Sequence, residues 1–234
     1  MHVINRTHQN HSYYTNVYDK SYITDHLCAG SETRLRLTSQ WWAAKAAVGI
    51  DPYQPIPFPG VTFKSQISFQ DQIHVLKNFG TRAANTVMEI GSGAGELSAV
   101  FAGLGSTVYS IDSNPHVEPY HAQYLQLLNA ATDQYHLWLG SAGLFTDMLP
   151  ETLDTVILVE SLEHFIPSEW DEFWLALKPI LVRNHARLII ANPVWPIAHN
   201  GWDHILPMDD AWFDHLLEGQ TAQHRQQGYL CVQY

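Results

Sequence analysis

The hydrophobic pattern of the chain changes character near residue 83. From residue 86 onward, short apolar runs rich in β-branched residues alternate with longer amphipathic stretches. The short runs predict strands at 86–90, 107–111, 136–139, 155–159, 187–191 and 229–232. The longer stretches predict helices at 94–104, 116–131, 168–182 and 208–218. This alternation favours an α/β fold: a doubly wound, mainly parallel, Rossmann-like sheet with helices on both faces.

The N-terminal part follows a different pattern. Residues 1–30 are polar and aromatic with weak periodicity, 33–49 have apolar residues at helical spacing, and a second short helix is predicted at about 69–79. Four prolines within 52–59 predict a stiff connector between those two helices. We therefore divide the chain into an N-terminal helical extension, 1–82, which is a candidate lid and substrate cover, and a ligand-binding catalytic domain, 83–234.

Composition and charge narrow the classes of partner. Hydrophobic residues make up 46% of the 234 residues, enough for a substantial core, and the formal net charge is −11. Residues 83–177 contain no Lys or Arg but 13 carboxylates. Because tight nucleic-acid binding depends on Lys and Arg neutralising phosphates, this segment makes a nucleic acid an unlikely partner.

Cysteine content and hydropathy bear on the compartment. The two cysteines, Cys28 and Cys231, cannot form a disulfide framework and neither belongs to a CxxC pair. The N-terminus has no apolar run typical of a signal peptide, and no segment has the length needed to span a bilayer. We expect a soluble, cytoplasmic protein with no membrane partner.

A glycine cluster after the first predicted strand of this domain is the strongest functional signal. Gly91, Gly93 and Gly95 form GxGxG, whereas a dinucleotide fingerprint would place its third glycine at position 96, which is Glu96. Acidic residues on both sides of the turn favour a cationic, phosphate-free ligand. The next strand is followed by Asp112, where a carboxylate can accept both hydroxyls of a ribose. A nucleoside with a positive substituent fits this pattern, and a glycine turn with another ligand or with none is the alternative.

These residues resemble the first motifs of the class I S-adenosylmethionine-dependent methyltransferases over about residues 86–195. The resemblance implies S-adenosylmethionine as the cofactor. It places the methionine part of the cofactor beside the glycines and Glu89, and the ribose beside Asp112. The family often has an acidic residue at the adenine edge where this chain has Ser141. The implied cofactor-binding residues are Glu89, Gly91, Ser92, Gly93, Gly95, Asp112, Ser113, Ser141 and Glu160.

A second motif, ExxEH, follows the strand predicted at 155–159. If residues 160–164 form a helical turn, Glu160, Glu163 and His164 share one face. Two carboxylates and an imidazole, with His204 as a further ligand, suit Mg²⁺, Mn²⁺ or Fe²⁺. The motif is similar to one in metal-assisted small-RNA 2′-O-methyltransferases and in ubiquinone-biosynthesis O-methyltransferases. Two other interpretations remain open: His164 acts as a metal-free general base, or the motif only packs and pairs locally.

The function expected from these patterns is methylation of an oxygen or nitrogen on a small-molecule acceptor, with or without a divalent metal. The residues expected to carry catalysis are Glu163, His164 and His204. An RNA ribose 2′-O-methyltransferase is the first alternative, favoured by the ExxEH motif and opposed by the missing cations. A non-catalytic, methyltransferase-like binding module is the second.

Overall fold

One eight-stranded sheet organises the part of the chain that the structure describes. The computed structural model describes residues 1–6, 85–93, 95–115, 117–165, 167–191, 210–217, 222–226 and 229–234. Its strands are β1 His2–Asn5, β2 Thr86–Ile90, β3 Thr107–Asp112, β4 Tyr135–Leu139, β5 Thr155–Val159, β6 Arg187–Ala191, β7 Ala222–Gln226 and β8 Tyr229–Gln233. Its α-helices are α1 Glu96–Gly103, α2 Glu118–Leu127, α3 Pro167–Asn184 and α4 Asp210–Leu217, with 3₁₀ segments at Ala142–Met148 and Leu162–His164.

The order of strands across the sheet is β1-β4-β3-β2-β5-β6-β8-β7. Strands β1 to β6 pair in parallel, whereas β8 is antiparallel to both of its neighbours. The chain builds outward from β2 through β3 to β4 and then returns to the other side of β2 with β5 and β6. This reversal creates a topological switch point between β2 and β5. In open α/β sheets, ligands bind in the crevice outside the carboxyl ends of the strands at such a point.

Helices cover both faces of the sheet and bury two separate hydrophobic clusters. On one face, Trp170, Phe173 and Leu177 of α3 pack against alternate residues of β2, β5 and β6. On the other face, Phe101 of α1 and Tyr124 of α2 pack against the intervening residues of the same strands and of β3 and β4. Because both faces are covered, β5 and β6 are apolar except at their first residues, as parallel strands usually are. The buried polar residues within β2 and β3 are therefore exceptions that require partners.

The predicted fold class is confirmed. Strands β2, β5 and β6 have the predicted bounds, and β3, β4 and β8 are each one residue longer than predicted. The observed α1, α2 and α4 are shorter than predicted, and α3 is longer. The helices predicted at 33–49 and 69–79, and the connector between them, lie outside the described residues, so the division into domains stays a prediction. Among the described helices, none combines the length and the hydropathy that a membrane span requires.

Strand β1 and the antiparallel β7 are additions that the sequence did not predict. β1 extends the sheet by pairing His2–Asn5 with the outer edge of β4. Arg6 follows it and fastens this edge: its Nη1 donates to the Leu144 carbonyl and, at 2.9 Å, to Asp147 Oδ1, and its guanidinium lies 5.4 Å from the ring centroid of Phe145. The outer edge of β4 is thereby covered.

Candidate functional site

The turn between β2 and α1 depends on glycine for two different reasons. We call residues 91–95 the glycine turn; Ala94 is not among the described residues. Gly91, Gly93 and Gly95 have φ angles of +74°, +53° and +82°, a region that L-residues with side chains rarely adopt. At Gly91 a Cβ atom would also overlap the side chain of Ser161. Ser161 follows β5 and donates from Oγ to the Ile90 carbonyl at 2.8 Å, so the glycine turn packs directly against the end of β5.

The two sides of the glycine turn face different surroundings. A Cβ atom at Gly95 would overlap the imidazole ring of His121, which packs beneath the turn. A Cβ atom at Gly93 would meet no atom within 4 Å, so this residue borders open space. The glycine turn therefore packs against His121 at Gly95 and borders open space at Gly93.

Asp112 ties the end of β3 to the glycine turn. Its Oδ2 accepts a hydrogen bond of 2.6 Å from the Gly93 N–H, and its Oδ1 accepts one of 2.9 Å from the Asn114 N–H. Desolvation raises the pKa of Asp112 to about 6, although both hydrogen bonds oppose this shift. A carboxylate has about four lone-pair sites. Two of these sites accept the hydrogen bonds above, so the carboxylate keeps the capacity to accept two more.

Glu89 lies beneath the glycine turn and begins a series of buried hydrogen bonds. Ser98 donates from Oγ to Glu89 Oε2, and Ser110 donates from Oγ to Ser98 Oγ. Ser110 Oγ lies 2.8 Å from the Tyr135 hydroxyl, which lies 2.6 Å from His121 Nδ1. We call these five residues the buried polar chain. It crosses from β2 through α1, β3 and β4 to α2.

The far end of the buried polar chain returns to the glycine turn. His121 Nε2 lies 3.0 Å from the Gly93 carbonyl oxygen and 3.4 Å from Ser92 Oγ. Burial raises the pKa of Glu89 to about 8 and lowers the pKa of His121 to about 4. Burial also raises the pKa of Tyr135. The side chains that support the glycine turn are therefore predominantly uncharged at neutral pH.

The sequence identified Glu89 but not the four other members of the buried polar chain. One signal could have found His121: it lies at helical spacing with Val117, which directly precedes α2, and with Tyr124 and Leu125 of α2, and all three are buried. A histidine on the buried face of a helix needs a polar partner. The identity of that partner depends on contacts between elements that are distant in sequence.

The ExxEH motif does not form the predicted helical turn. Glu160 directly follows β5 and has a φ of +45°, and the 3₁₀ turn covers only Leu162–His164. The expectation that Glu160, Glu163 and His164 share one helical face is therefore wrong. Glu163 is buried, with its Oε1 3.8 Å from His164 Nε2. Among the described residues, no three or more His, Cys, Asp or Glu side chains are grouped so that they could hold a metal ion. The fourth expected ligand, His204, lies outside those residues.

The remaining predicted cofactor residues lie at the same edge of the sheet. The glycine turn follows β2, Ser113 follows β3, Ser141 comes shortly after β4, and Glu160 follows β5. Ser141 is buried and its carbonyl accepts the Leu144 N–H at 3.0 Å, at the start of the 3₁₀ segment. The parallel sheet thus gathers residues from four strands at its carboxyl edge, where open α/β sheets bind their ligands.

Comparison with solved structures shows that many proteins share this fold. No protein-family model matches the sequence, and a search of curated proteins finds no match. Solved structures do match. A SAM-dependent methyltransferase from Archaeoglobus fulgidus has a TM-score of 0.51 at 16% identity, covering 66% of this chain and 69% of its own. Magnesium protoporphyrin IX methyltransferase from Synechocystis PCC 6803, solved with bound SAH, has a TM-score of 0.52 at 18% identity, covering 92% and 97%.

The small RNA methyltransferase HEN1 has a TM-score of 0.54 at 17% identity, covering 76% of this chain and 26% of its own. The chain described here therefore has the Rossmann-like fold of the class I S-adenosylmethionine-dependent methyltransferases.

Proposed function

We propose that this protein is an S-adenosylmethionine-dependent methyltransferase that acts on an oxygen or nitrogen of a small-molecule acceptor. The observation that carries the proposal is the pairing of Gly93 with Asp112 at the carboxyl ends of β2 and β3. Gly93 borders open space, and the carboxylate fixed beside it retains acceptor capacity for ribose hydroxyls. The shared fold supports this assignment, since magnesium protoporphyrin IX methyltransferase was solved with SAH.

The charge of the crevice fits the proposed cofactor. S-adenosylmethionine supplies an activated methyl group on a positively charged sulfonium. Residues 83–177 contain no Lys or Arg, Glu96 directly follows the glycine turn, and the Asp112 carboxylate accepts from the Gly93 N–H. An anionic pyrophosphate would meet these two carboxylates, whereas a cation is favoured.

The chain's own residues contribute chiefly by positioning. The glycine turn and Asp112 fix the donor at the carboxyl edge of the sheet, so that an acceptor needs only to approach from the open side. We propose that His164 Nε2 accepts the proton that the acceptor group loses on methylation. This imidazole is partly exposed after β5, and the Glu163 carboxylate lies beside it. This assignment needs no metal, because the imidazole accepts the proton and the carboxylate beside it stabilises the imidazolium that forms.

A small-molecule acceptor is favoured over RNA by the acidic segment. The 13 carboxylates of residues 83–177 would repel a phosphate backbone. Similarity in fold alone does not distinguish the two, since the structural neighbours include both HEN1 and magnesium protoporphyrin IX methyltransferase.

Calorimetric titration of S-adenosylmethionine tests the cofactor assignment. Asp112→Asn removes a charged acceptor while keeping the size of the side chain, and a charge-assisted hydrogen bond contributes about 1.5–3 kcal/mol. We expect the Asp112→Asn variant to bind at least about tenfold more weakly. The matched control is Asp133→Asn, because Asp133 is exposed in the turn before β4. Equal affinities of wild type and Asp112→Asn would overturn the assignment.

Production of S-adenosylhomocysteine tests the enzymatic part. Turnover with a small-molecule acceptor is the expected result. Cofactor binding without turnover on any acceptor would instead indicate a binding module, and methylation of a short RNA would identify a ribose methyltransferase.

A further inference from the structure

Two side chains hold Gly93, the residue of the glycine turn that borders open space. Asp112 Oδ2 accepts a hydrogen bond of 2.6 Å from the Gly93 N–H, and His121 Nε2 lies 3.0 Å from the Gly93 carbonyl oxygen. The N–H belongs to the peptide unit before the Cα atom of Gly93, and the carbonyl belongs to the unit after it. The two contacts together therefore fix both backbone dihedral angles of this residue.

Gly93 needs such contacts because it is a glycine in a loosely packed position. Glycine has the widest choice of backbone conformations, and a Cβ atom here would meet no atom within 4 Å. Ordering the backbone of one residue costs conformational entropy. A turn that is ordered on folding does not have to be ordered by the ligand on binding. Holding Gly93 on both sides therefore preorganises the turn for a ligand that lies against it.

The partners of His121 define which of its ring nitrogens carries the proton. A carbonyl oxygen only accepts, so the contact with Gly93 requires Nε2–H as the donor. Burial lowers the pKa of His121 to about 4, so the ring is neutral at pH 7 and its Nδ1 is an acceptor. The Tyr135 hydroxyl, 2.6 Å from Nδ1, then donates to it. Tyr135 thereby stabilises the tautomer that can hold Gly93.

Packing fixes the position of the His121 ring. The ring is fully buried and lies edge-on to the ring of Tyr135, with 5.8 Å between the centroids. A Cβ atom at Gly95 would lie 2.4 Å from His121 Nδ1, so glycine at this position lets the ring lie directly against the turn. Rotation of the ring that exchanged its nitrogen and carbon positions would break the contacts with both Gly93 and Tyr135. The imidazole therefore has one orientation that satisfies both of its nitrogens.

Both residues that hold Gly93 come from one connection of the chain. Asp112 ends β3, and His121 lies near the start of α2, the next helix. A shift of Gly93 away from His121 would also weaken the hydrogen bond that orients the Asp112 carboxylate. The imidazole is thus coupled through Gly93 to the carboxylate that we assign to the ribose.

We propose that His121 is a positioning residue of the cofactor site: its Nε2–H holds the Gly93 carbonyl and thereby presets the glycine turn and Asp112 for S-adenosylmethionine. It acts through Gly93, because the imidazole is fully buried beneath the turn. This inference rests on the proposed function, since it concerns the same cofactor. It adds to that function a residue of α2 on which the affinity of the glycine turn depends.

Two amide variants separate the hydrogen bond from the packing of the ring. The side-chain nitrogen of glutamine reaches about as far as Nε2 of histidine, whereas that of the shorter asparagine reaches only about as far as Nδ1. His121→Gln can therefore donate to the Gly93 carbonyl, and His121→Asn cannot. In calorimetric titrations with S-adenosylmethionine, we expect His121→Gln to bind within about threefold of the wild type and His121→Asn to bind about tenfold more weakly.

The possible results distinguish this inference from the function on which it rests. Urea denaturation establishes that both variants are folded under the conditions of the titration. Equal affinities of the two variants, whether both are tight or both are weak, would overturn the role of the Nε2–H. No binding of S-adenosylmethionine by the wild type would contradict the proposed function and this inference with it.

Nitrogen NMR of the wild type gives a readout that needs no variant. In uniformly isotope-labelled protein, the imidazole resonances of His121 are assigned through the backbone of α2. At neutral pH we expect Nε2 to carry a proton and Nδ1 to carry none, and the Nε2 proton should exchange slowly with solvent because the ring is buried. An Nε2 without a proton would leave the Gly93 carbonyl without this donor and would overturn the inference.

Discussion

Gly91 shows how a single residue can be required by a neighbour that is distant in sequence. Its positive φ costs a residue with a Cβ atom about 1–2 kcal/mol. Ser161, from the end of β5, occupies the position where that Cβ atom would lie. Gly93 has a positive φ as well but borders open space. Comparing alanine substitutions at Gly91 and Gly93 therefore separates the cost of backbone strain from the cost of steric overlap with Ser161.

We expect Gly91→Ala to lower the free energy of unfolding by about 3 kcal/mol, the sum of strain and overpacking, and Gly93→Ala to lower it by only about 1 kcal/mol. Urea denaturation measures both. Adding Ser161→Gly to Gly91→Ala should restore about 1–3 kcal/mol relative to additivity, because it removes the overlap. Additive effects of the two substitutions would contradict the contact.

At the residue scale, the sequence predicted those positions whose signal is local. The glycine spacing and Asp112 are identifiable because each lies directly after an apolar strand. His121 and Tyr135 could not be assigned, because their partners come from strands and helices that only the folded sheet brings together. The helical turn predicted for the ExxEH motif does not form, because the positive φ of Glu160 keeps this residue out of the 3₁₀ turn at Leu162–His164.

At the scale of elements, the edge strand β1 depends on Arg6 for its attachment. The charge-assisted hydrogen bond from Arg6 to the Leu144 carbonyl and its contact with Phe145 link β1 to the 3₁₀ segment after β4. The ion pair with Asp147 is exposed and adds little. His2–Asn5 becomes a strand by pairing with the edge of β4, which is distant in sequence, and this explains why the sequence did not predict it.

Arg6→Ala should lower the free energy of unfolding by about 1 kcal/mol, because it leaves the Leu144 carbonyl without its donor and uncovers Phe145. Thermal denaturation at moderate salt measures the loss. The matched variant is Asp147→Asn, which removes only the exposed partner and should leave the melting temperature unchanged. A loss of equal size in both variants would show that the ion pair, and not the contact with the 3₁₀ segment, attaches β1.

At the scale of the whole molecule, the buried acid makes stability depend on pH. The folded pKa of Glu89, about 8, exceeds its ordinary value of 4.5, so the folded protein retains a proton that the unfolded chain has lost. Stability from this group is present at low pH and is lost as pH rises through 8. Asp112 acts in the same direction but only up to about pH 6, and the lowered pKa of His121 acts in the opposite direction below pH 6.5.

Of the described groups whose pKa is shifted, Glu89 is the one that changes stability between pH 6.5 and 8. We expect the free energy of unfolding of the wild type to decrease by up to about 2 kcal/mol across this interval. Glu89→Gln keeps the shape of the side chain without an ionisable proton and should show no such decrease. Urea titrations at several pH values measure both slopes, and parallel curves for the two proteins would contradict the raised pKa.

The pairing of β1 with β4 also has a consequence for the order in which the sheet assembles. His2 pairs with His136, so this contact closes a loop of 134 residues. Closing so long a loop costs conformational entropy before any contact compensates for it, whereas β2, β3 and β4 are separated by much shorter segments. We expect β1 to dock last, onto a sheet already formed, so that the outer edge of β4 stays open to other chains during refolding. Pulsed hydrogen exchange would show late protection confined to this edge.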